Sequence, residues 1–211
     1  MSAVAVIAAS YLLGSVPFSG LIARRLKGVD LRQVGTGTVS GTGLYRVAGL
    51  GPLIVGGILD LAKGSVGPLL AGESRPGLAI AAGAAAVVGH NWSLFLRGAG
   101  GRGISPAMGA MLPLAPEGSL LLLVALAVGK AADATSLGAF AGFVGLFPLL
   151  SRTRSLGTLL AAALVAPMLV KRVLGNQPPS GPDKLRVYLV RLFFDQDTPR
   201  WPRWFRQGKE P

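Results

Sequence analysis

Cysteine is absent from all 211 residues, which excludes disulfides, thiolate metal sites and cysteine nucleophiles at once. Histidine occurs once, at His90, and acidic residues number only nine. No carboxylate neighbours His90 in sequence, so neither a metal cluster nor a Ser-His-Asp relay can be assembled from spacing. Charge of either sign is scarce: 14% of the chain is charged and 51% is apolar, too little to coat a soluble domain of this size. The charge present leans one way, with 21 Lys and Arg giving a formal +12. These residues lie in short loops between apolar blocks and in the tail from Lys171 onward, a placement that suits anionic lipid headgroups and not nucleic acid.

The apolar residues fall into blocks, several of them long enough to cross a bilayer as helices, which takes about 20 residues. Backbone groups inside lipid must pair within their own segment, so the expected fold is an all-α integral membrane bundle of about seven transmembrane helices, some short. The expected spans are 3–23, 47–70, 78–97, 104–114, 117–129, 134–150 and 156–171. Pro113 and Pro116 bracket the turn between the fourth and fifth, which are short enough to be buried in the bundle or to form one hairpin that only dips into the bilayer. The first block has no basic region before it and no cleavage site after it, and reads as a retained span. Residues 1–177 form the transmembrane unit, and 178–211 a basic, aromatic tail with Trp201, Trp204 and Phe205 among Arg200, Arg203 and Arg206, expected to anchor at the interface.

Loop charge sets the orientation. Arg24, Arg25, Lys27 and Arg32 follow the first span, and Arg97 and Arg102 follow the third, so that side is cytoplasmic, as is the tail, and the amino terminus is outside. Arg152 and Arg154 fall on the outer side and do not fit the rule.

Two of the cytoplasmic loops carry glycine with polar or basic residues. The first contains Gly35, Thr36, Gly37, Thr38, Ser40, Gly41, Thr42 and Gly43 and leads to Arg46; the second runs Arg97-Gly98-Ala99-Gly100-Gly101-Arg102-Gly103. Glycine lets backbone N–H groups converge on an anion, hydroxyls add donors and arginine offers a charged fork, so the pair suits a phosphate. A polar linker is the plain alternative for either loop alone. Gly98, Gly100 and Gly103 satisfy GxGxxG, but no strand precedes them and the dinucleotide reading fails. Three polar sets lie within or at the ends of spans: Asp60 with Lys63, His90 with Asn91, and Lys130 with Asp133. Charges at membrane depth mark sites or pathways, and Asp60 and Lys63, three apart, share a helical face and can pair.

Six stretches in register, Gly14-Ser15-Val16-Pro17-Phe18, Asp30-Leu31-Arg32 with Val34-Gly35-Thr36-Gly37, Leu59 to Gly64, Gly89 to Ser93, Gly100 to Ile104 and Ser136-Leu137-Gly138, resemble the bacterial acyl-phosphate:glycerol-3-phosphate acyltransferase family. The resemblance implies a seven-helix bundle in the bacterial inner membrane that moves an acyl group from acyl phosphate to the 1-hydroxyl of glycerol 3-phosphate, without metal or cofactor. It implies that Thr36, Thr38, Thr42, Arg46, Gly100, Gly101, Arg102 and Gly103 bind substrate phosphate, and that Asp60, Lys63, His90 and Asn91 shape the site. Thr36 stands where the family has serine, Arg102 where it has lysine, and Thr38 and Gly43 replace asparagines. The family's third motif, with a histidine and an asparagine after the last span, is matched by Lys171-Arg172, which become the candidate acyl-phosphate contacts, with Asn176 the nearest further polar group. A non-catalytic or divergent paralogue that binds or transports a phosphorylated small molecule is the alternative function.

Overall fold

The computed structural model describes residues 1–179, 183–199 and 202, and these contain helices and no strand. The helices are α1 (Ala3–Ser15), α2 (Phe18–Lys27), α3 (Gly41–Ala48), α4 (Leu50–Ala71), α5 (Pro76–Asn91), α6 (Ile104–Leu114), α7 (Pro116–Ala131), α8 (Thr135–Thr153), α9 (Gly157–Leu174) and α10 (Lys184–Phe194). Five stretches are long and apolar enough to cross a membrane: Ala3–Lys27, Leu50–Ala71, Pro76–Leu96, Thr135–Thr153 and Gly157–Leu174. Exposed apolar side chains repeat every fourth residue, Leu50, Ile54 and Ile58 on α4 and Leu120, Val124 and Val128 on α7, forming stripes suited to lipid. The aromatic end of the tail, Trp201, Trp204 and Phe205, lies outside the described residues.

The first span, expected as one helix over 3–23, is broken. Pro17 has no N–H to give and pushes Val16 into an extended conformation (φ −63°, ψ 117°), so α1 stops and α2 restarts at Phe18. A break within a bundle strands carbonyls, and each finds a donor from another helix or loop. Lys63 Nζ donates to Val16 O at 2.8 Å, and Ser93 Oγ to Ser15 O at 2.5 Å. The break is therefore the point at which the first span is tied to α4 and to the turn after α5.

Small residues let the helices approach closely. A Cβ on Gly14 would lie 2.3 Å from Ala86 O, and one on Gly89 2.2 Å from Tyr11 O, so α1 and α5 meet backbone to backbone. Gly64 and Gly109 do the same for α4 and α6, each with a neighbouring helix carbonyl within 2.1 Å of where a Cβ would lie. The 11-residue α6 is too short to span alone at 1.5 Å per residue. It buries six consecutive residues, Pro106 to Met111, so protein and not lipid surrounds it. A sharp turn at Ala115 leads into α7, which starts on Pro116, where the missing N–H costs nothing. Arg154 is paired locally: Glu117, at the start of α7, accepts from its Nε at 2.7 Å and its Nη2 at 2.9 Å.

Candidate functional site at the ends of α3, α5, α6 and α9

The two glycine-rich loops meet. Asp30 caps the single turn Leu31–Gln33 and grips the Arg32 guanidinium, whose hydrogen bond holds the Asp30 carboxyl down to about 2. Beyond this anchor the chain runs to Val39, whose N–H donates to Gly100 O at 3.1 Å. Asn176, in the turn after α9, locks the junction: its Nδ2 donates to Gly37 O and to Gly100 O, both at 2.8 Å, and its Oδ1 accepts from Gly100 N at 3.1 Å. One amide side chain thereby satisfies three backbone groups from two loops.

Glycine is required where the second loop crosses the end of α5. A Cβ on Gly101 would lie 2.0 Å from His90 Nε2, and one on Gly100 2.3 Å from His90 O. Gly103 adopts the left-handed conformation (φ 76°) as the residue before α6, facing Asn91.

At this junction a cavity of about 230 Å³ is lined by Thr36, Arg102, Asn176, Gln177, Arg191 and Asp195 among others. Thr36 Oγ1 lies 2.9 Å from Thr38 Oγ1, which is itself buried. Arg102 donates from Nε to Asp195 Oδ1 at 2.5 Å and from Nη1 to Lys171 O at 3.0 Å. Burial lifts the Asp195 carboxyl above its ordinary value against the pull of Arg102 and Arg172. Arg46 projects from α3 toward the first loop, its Nη1 3.1 Å from where a Cβ on Gly35 would be. Thr42 sits exposed on the first turn of α3 and does not line this cavity.

A polar layer lies beneath, at the break between α1 and α2. Asp60 and Lys63, both buried, pair at 2.8 Å, and Ser19 Oγ donates to Asp60 Oδ2 at 3.4 Å. Lys63 Nζ also stands 5.6 Å over the Phe18 ring. His90 Nδ1 comes to 3.8 Å of Asp60 Oδ1, neighbouring but beyond hydrogen-bond length. A void of about 10 Å³, the size of one water, is bordered by Asp60, Lys63, His90 and Gly101. Asn91 donates to Pro167 O at 3.0 Å, while its buried Oδ1 has no hydrogen-bond partner among the described residues.

Lys171 and Arg172 are placed differently from the expectation that they reach toward a donor at the headgroups. Both are buried and bonded to carbonyls of the protein. Lys171 Nζ donates to Gly98 O at 3.1 Å and lies 5.3 Å over the Trp92 ring. Arg172 donates to Ser136 O at 2.7 Å, Phe193 O at 2.9 Å and Arg191 O at 3.3 Å, gripping α10. Lys130 Nζ lies 5.2 Å over Tyr45, away from the cavity, and Asp133 occupies a left-handed turn (φ 54°). The residues to which sequence reasoning assigned no role are Asn176, Gln177, Arg191, Asp195 and Asp197. The available signal was a close acidic pair, Asp195 and Asp197, in a tail whose net charge is positive.

A helical bundle with five stretches long and apolar enough to cross a membrane, whose two glycine-rich loops meet beside an arginine-lined cavity, defines a class: integral membrane proteins with a polar, basic cavity where their loops meet. Within that class the family is shown by similarity. A family model described as glycerol-3-phosphate acyltransferase matches residues 4–177, and the chain belongs to that family. A glycerol-3-phosphate acyltransferase of Synechococcus sp. (strain CC9902) is 35% identical over 173 residues, covering 81% of this chain and 86% of the relative. One of Halalkalibacterium halodurans is 39% identical over 125 residues, 57% of this chain but only 60% of the relative's length. Among solved structures, PlsY (YgiH), an integral membrane glycerol 3-phosphate acyltransferase in its glycerol 3-phosphate form, superimposes with a TM-score of 0.73 at 30% identity, covering 82% of this chain and 88% of PlsY.

Proposed function

We propose that this chain transfers an acyl group from acyl phosphate to the 1-hydroxyl of glycerol 3-phosphate, giving lysophosphatidate and inorganic phosphate for phospholipid synthesis. The observation that carries the proposal is the junction of residues 34–40 with 97–103 under Asn176, which gathers Thr36 and Arg102 at one cavity. Membership of the acyltransferase family and the likeness to PlsY support it. Arg102 and Thr36 at the cavity, with Arg46 beside Gly35, offer positive charge and a hydroxyl to phosphate oxygens, and Thr38 is bonded behind Thr36. The Gly100, Gly101 and Gly103 backbone shapes the loop around them and does not cradle the anion through Gly100 and Gly101, whose N–H groups are spent on Asn176 Oδ1 and His90 O, and Thr42 lies apart. Asp60, Lys63, His90 and Asn91 hold the floor on which these loops rest.

A mixed anhydride is already activated. The substrate hydroxyl oxygen bonds to the acyl carbon, the carbon–oxygen bond to phosphate breaks, and the departing phosphate takes up the hydroxyl proton and leaves as hydrogen phosphate. Positioning and charge neutralisation are then the main work, and neither a protein nucleophile nor a metal is called for. The protein lies in the bacterial inner membrane with its amino terminus outside and the loops and tail in the cytoplasm, following the basic residues at Arg24, Arg25, Lys27, Arg97 and Arg102.

The test is direct. Purified protein given palmitoyl phosphate and labelled glycerol 3-phosphate should form lysophosphatidate. No product above a vector control across several acyl lengths would sink the proposal, and glycerol 3-phosphate binding without turnover would favour the paralogue reading.

A further inference from the structure

Arginine at 102 uses its fork in a way that lysine could not. The Nε donates to the Asp195 carboxylate and Nη1 to the Lys171 carbonyl, and Nη2 has no partner among the described residues. A guanidinium held along one edge and at one corner presents its remaining N–H groups in a fixed plane, which a single ammonium cannot do. Asp195 comes from the tail, beyond residue 177, where the family match ends.

The carboxylate is held in place. Asp195 closes α10 in the left-handed conformation (φ 56°), and its N–H donates to Arg191 O at 2.9 Å. Arg172 grips the same end of α10 through Arg191 O and Phe193 O, and the Phe193 ring stands 4.9 Å from Phe140 of α8, edge to face. Arg191 is buried and donates from Nη1 to Leu174 O at 2.9 Å and Gln177 O at 3.1 Å, fixing the turn that carries Asn176. The tail helix therefore braces both the amide and the guanidinium of the cavity. It also brings negative charge to a place where Arg102, Lys171, Arg172 and Arg191 crowd together, lowering their mutual repulsion.

Resting on the acyltransferase reading above, we infer that Asp195 is a positioning residue for glycerol 3-phosphate. It orients Arg102 so that the unpartnered Nη2 group meets the substrate phosphate, and the tail helix is thus part of the acceptor site. A bond to a charged group is worth about 1.5–3 kcal/mol, so its loss is read as roughly a tenfold or larger change.

The test uses the full chain with Asp195→Asn, which keeps the shape and removes the charge, and Asp195→Glu as the conservative rescue. Expected in Asp195→Asn is a KM for glycerol 3-phosphate raised about tenfold, with kcat and the KM for palmitoyl phosphate within about twofold of wild type, and most of the loss recovered in Asp195→Glu. An unchanged acceptor KM overturns the inference. So does a lowered one, which would make Asp195 a competitor of the phosphate. A joint collapse of kcat and both KM values also overturns it, since it would show that Asp195 only holds the fold. If wild type proves inactive, the acyltransferase proposal fails separately, and calorimetric binding of glycerol 3-phosphate to the same variants decides. A Kd raised about tenfold in Asp195→Asn supports positioning. An unchanged Kd, or no binding to wild type, overturns it.

Discussion

Removing the ammonium from Lys63 should destabilise the bundle more than any other single change in the polar layer. In Lys63→Met the apolar stem keeps nearly its volume, but two bonds vanish: the 2.8 Å pair with Asp60 and the 2.8 Å bond to Val16 O at the helix break. Asp60 is 3% exposed and Lys63 2%, so bulk solvent does not replace the lost partners, and the void beside them has room for one water at most. Breaking a buried pair by deleting one member costs about 3–5 kcal/mol, and stranding a buried carbonyl a further ~1–3 kcal/mol. The two terms share one side chain and do not simply add, so a loss of about 4 kcal/mol is expected. The assay is equilibrium unfolding in detergent micelles, with Asp60→Asn made alone and together with Lys63→Met. Because the double variant carries no unpaired charge, it should recover about half of the loss. A Lys63→Met protein within about 1 kcal/mol of wild type, or a double variant less stable than both singles, would refute the view that this pair and the broken first span are one structural unit.

At Arg102, lysine should retain a substantial part of the turnover because it keeps the charge, while alanine should lose most of it; an alanine variant as active as wild type would reduce the loop to a linker. At Thr36, serine should preserve activity and the isosteric valine should not, since the hydroxyl bonded to Thr38 is the proposed donor; equal activities in the standard assay would remove Thr36 from the site. The double replacement of Lys171 and Arg172 by glutamine should expose the tail helix to limited proteolysis and weaken use of both substrates, because Arg172 holds Arg191 O and Phe193 O while Lys171 holds Gly98 O. A rise confined to the acyl-phosphate KM, with the tail still protected, would instead return both residues to the donor.

Pairings close in sequence were legible before any coordinates. Asp60 and Lys63, three apart on one helix, pair as their spacing allows, because helical periodicity alone places them on one face. The apolar blocks predict membrane helices for the same local reason, and Pro113 and Pro116 bracket the α6 to α7 turn as read. Pro17 was equally visible, yet its effect was missed, since a proline breaks a span only where something in the bundle donates to the stranded carbonyls, here Lys63 and Ser93.

The assembly of the site belongs to the tertiary structure. Asn176 bonds Gly37 across 139 positions, and Arg102 meets Asp195 across 93. No local periodicity encodes partners so far apart. They are chosen by the small-residue contacts that stack α1 on α5 and α4 on α6, and by the tail helix docking under Arg172. Composition, span placement and the phosphate-suited chemistry of two loops follow from neighbours along the chain, because helix formation and hydropathy depend on neighbours alone. That those loops touch, that Lys171 and Arg172 turn inward, and that a tail carboxylate meets Arg102, one of two arginines lining the cavity at the loop junction, all depend on packing between helices distant in sequence.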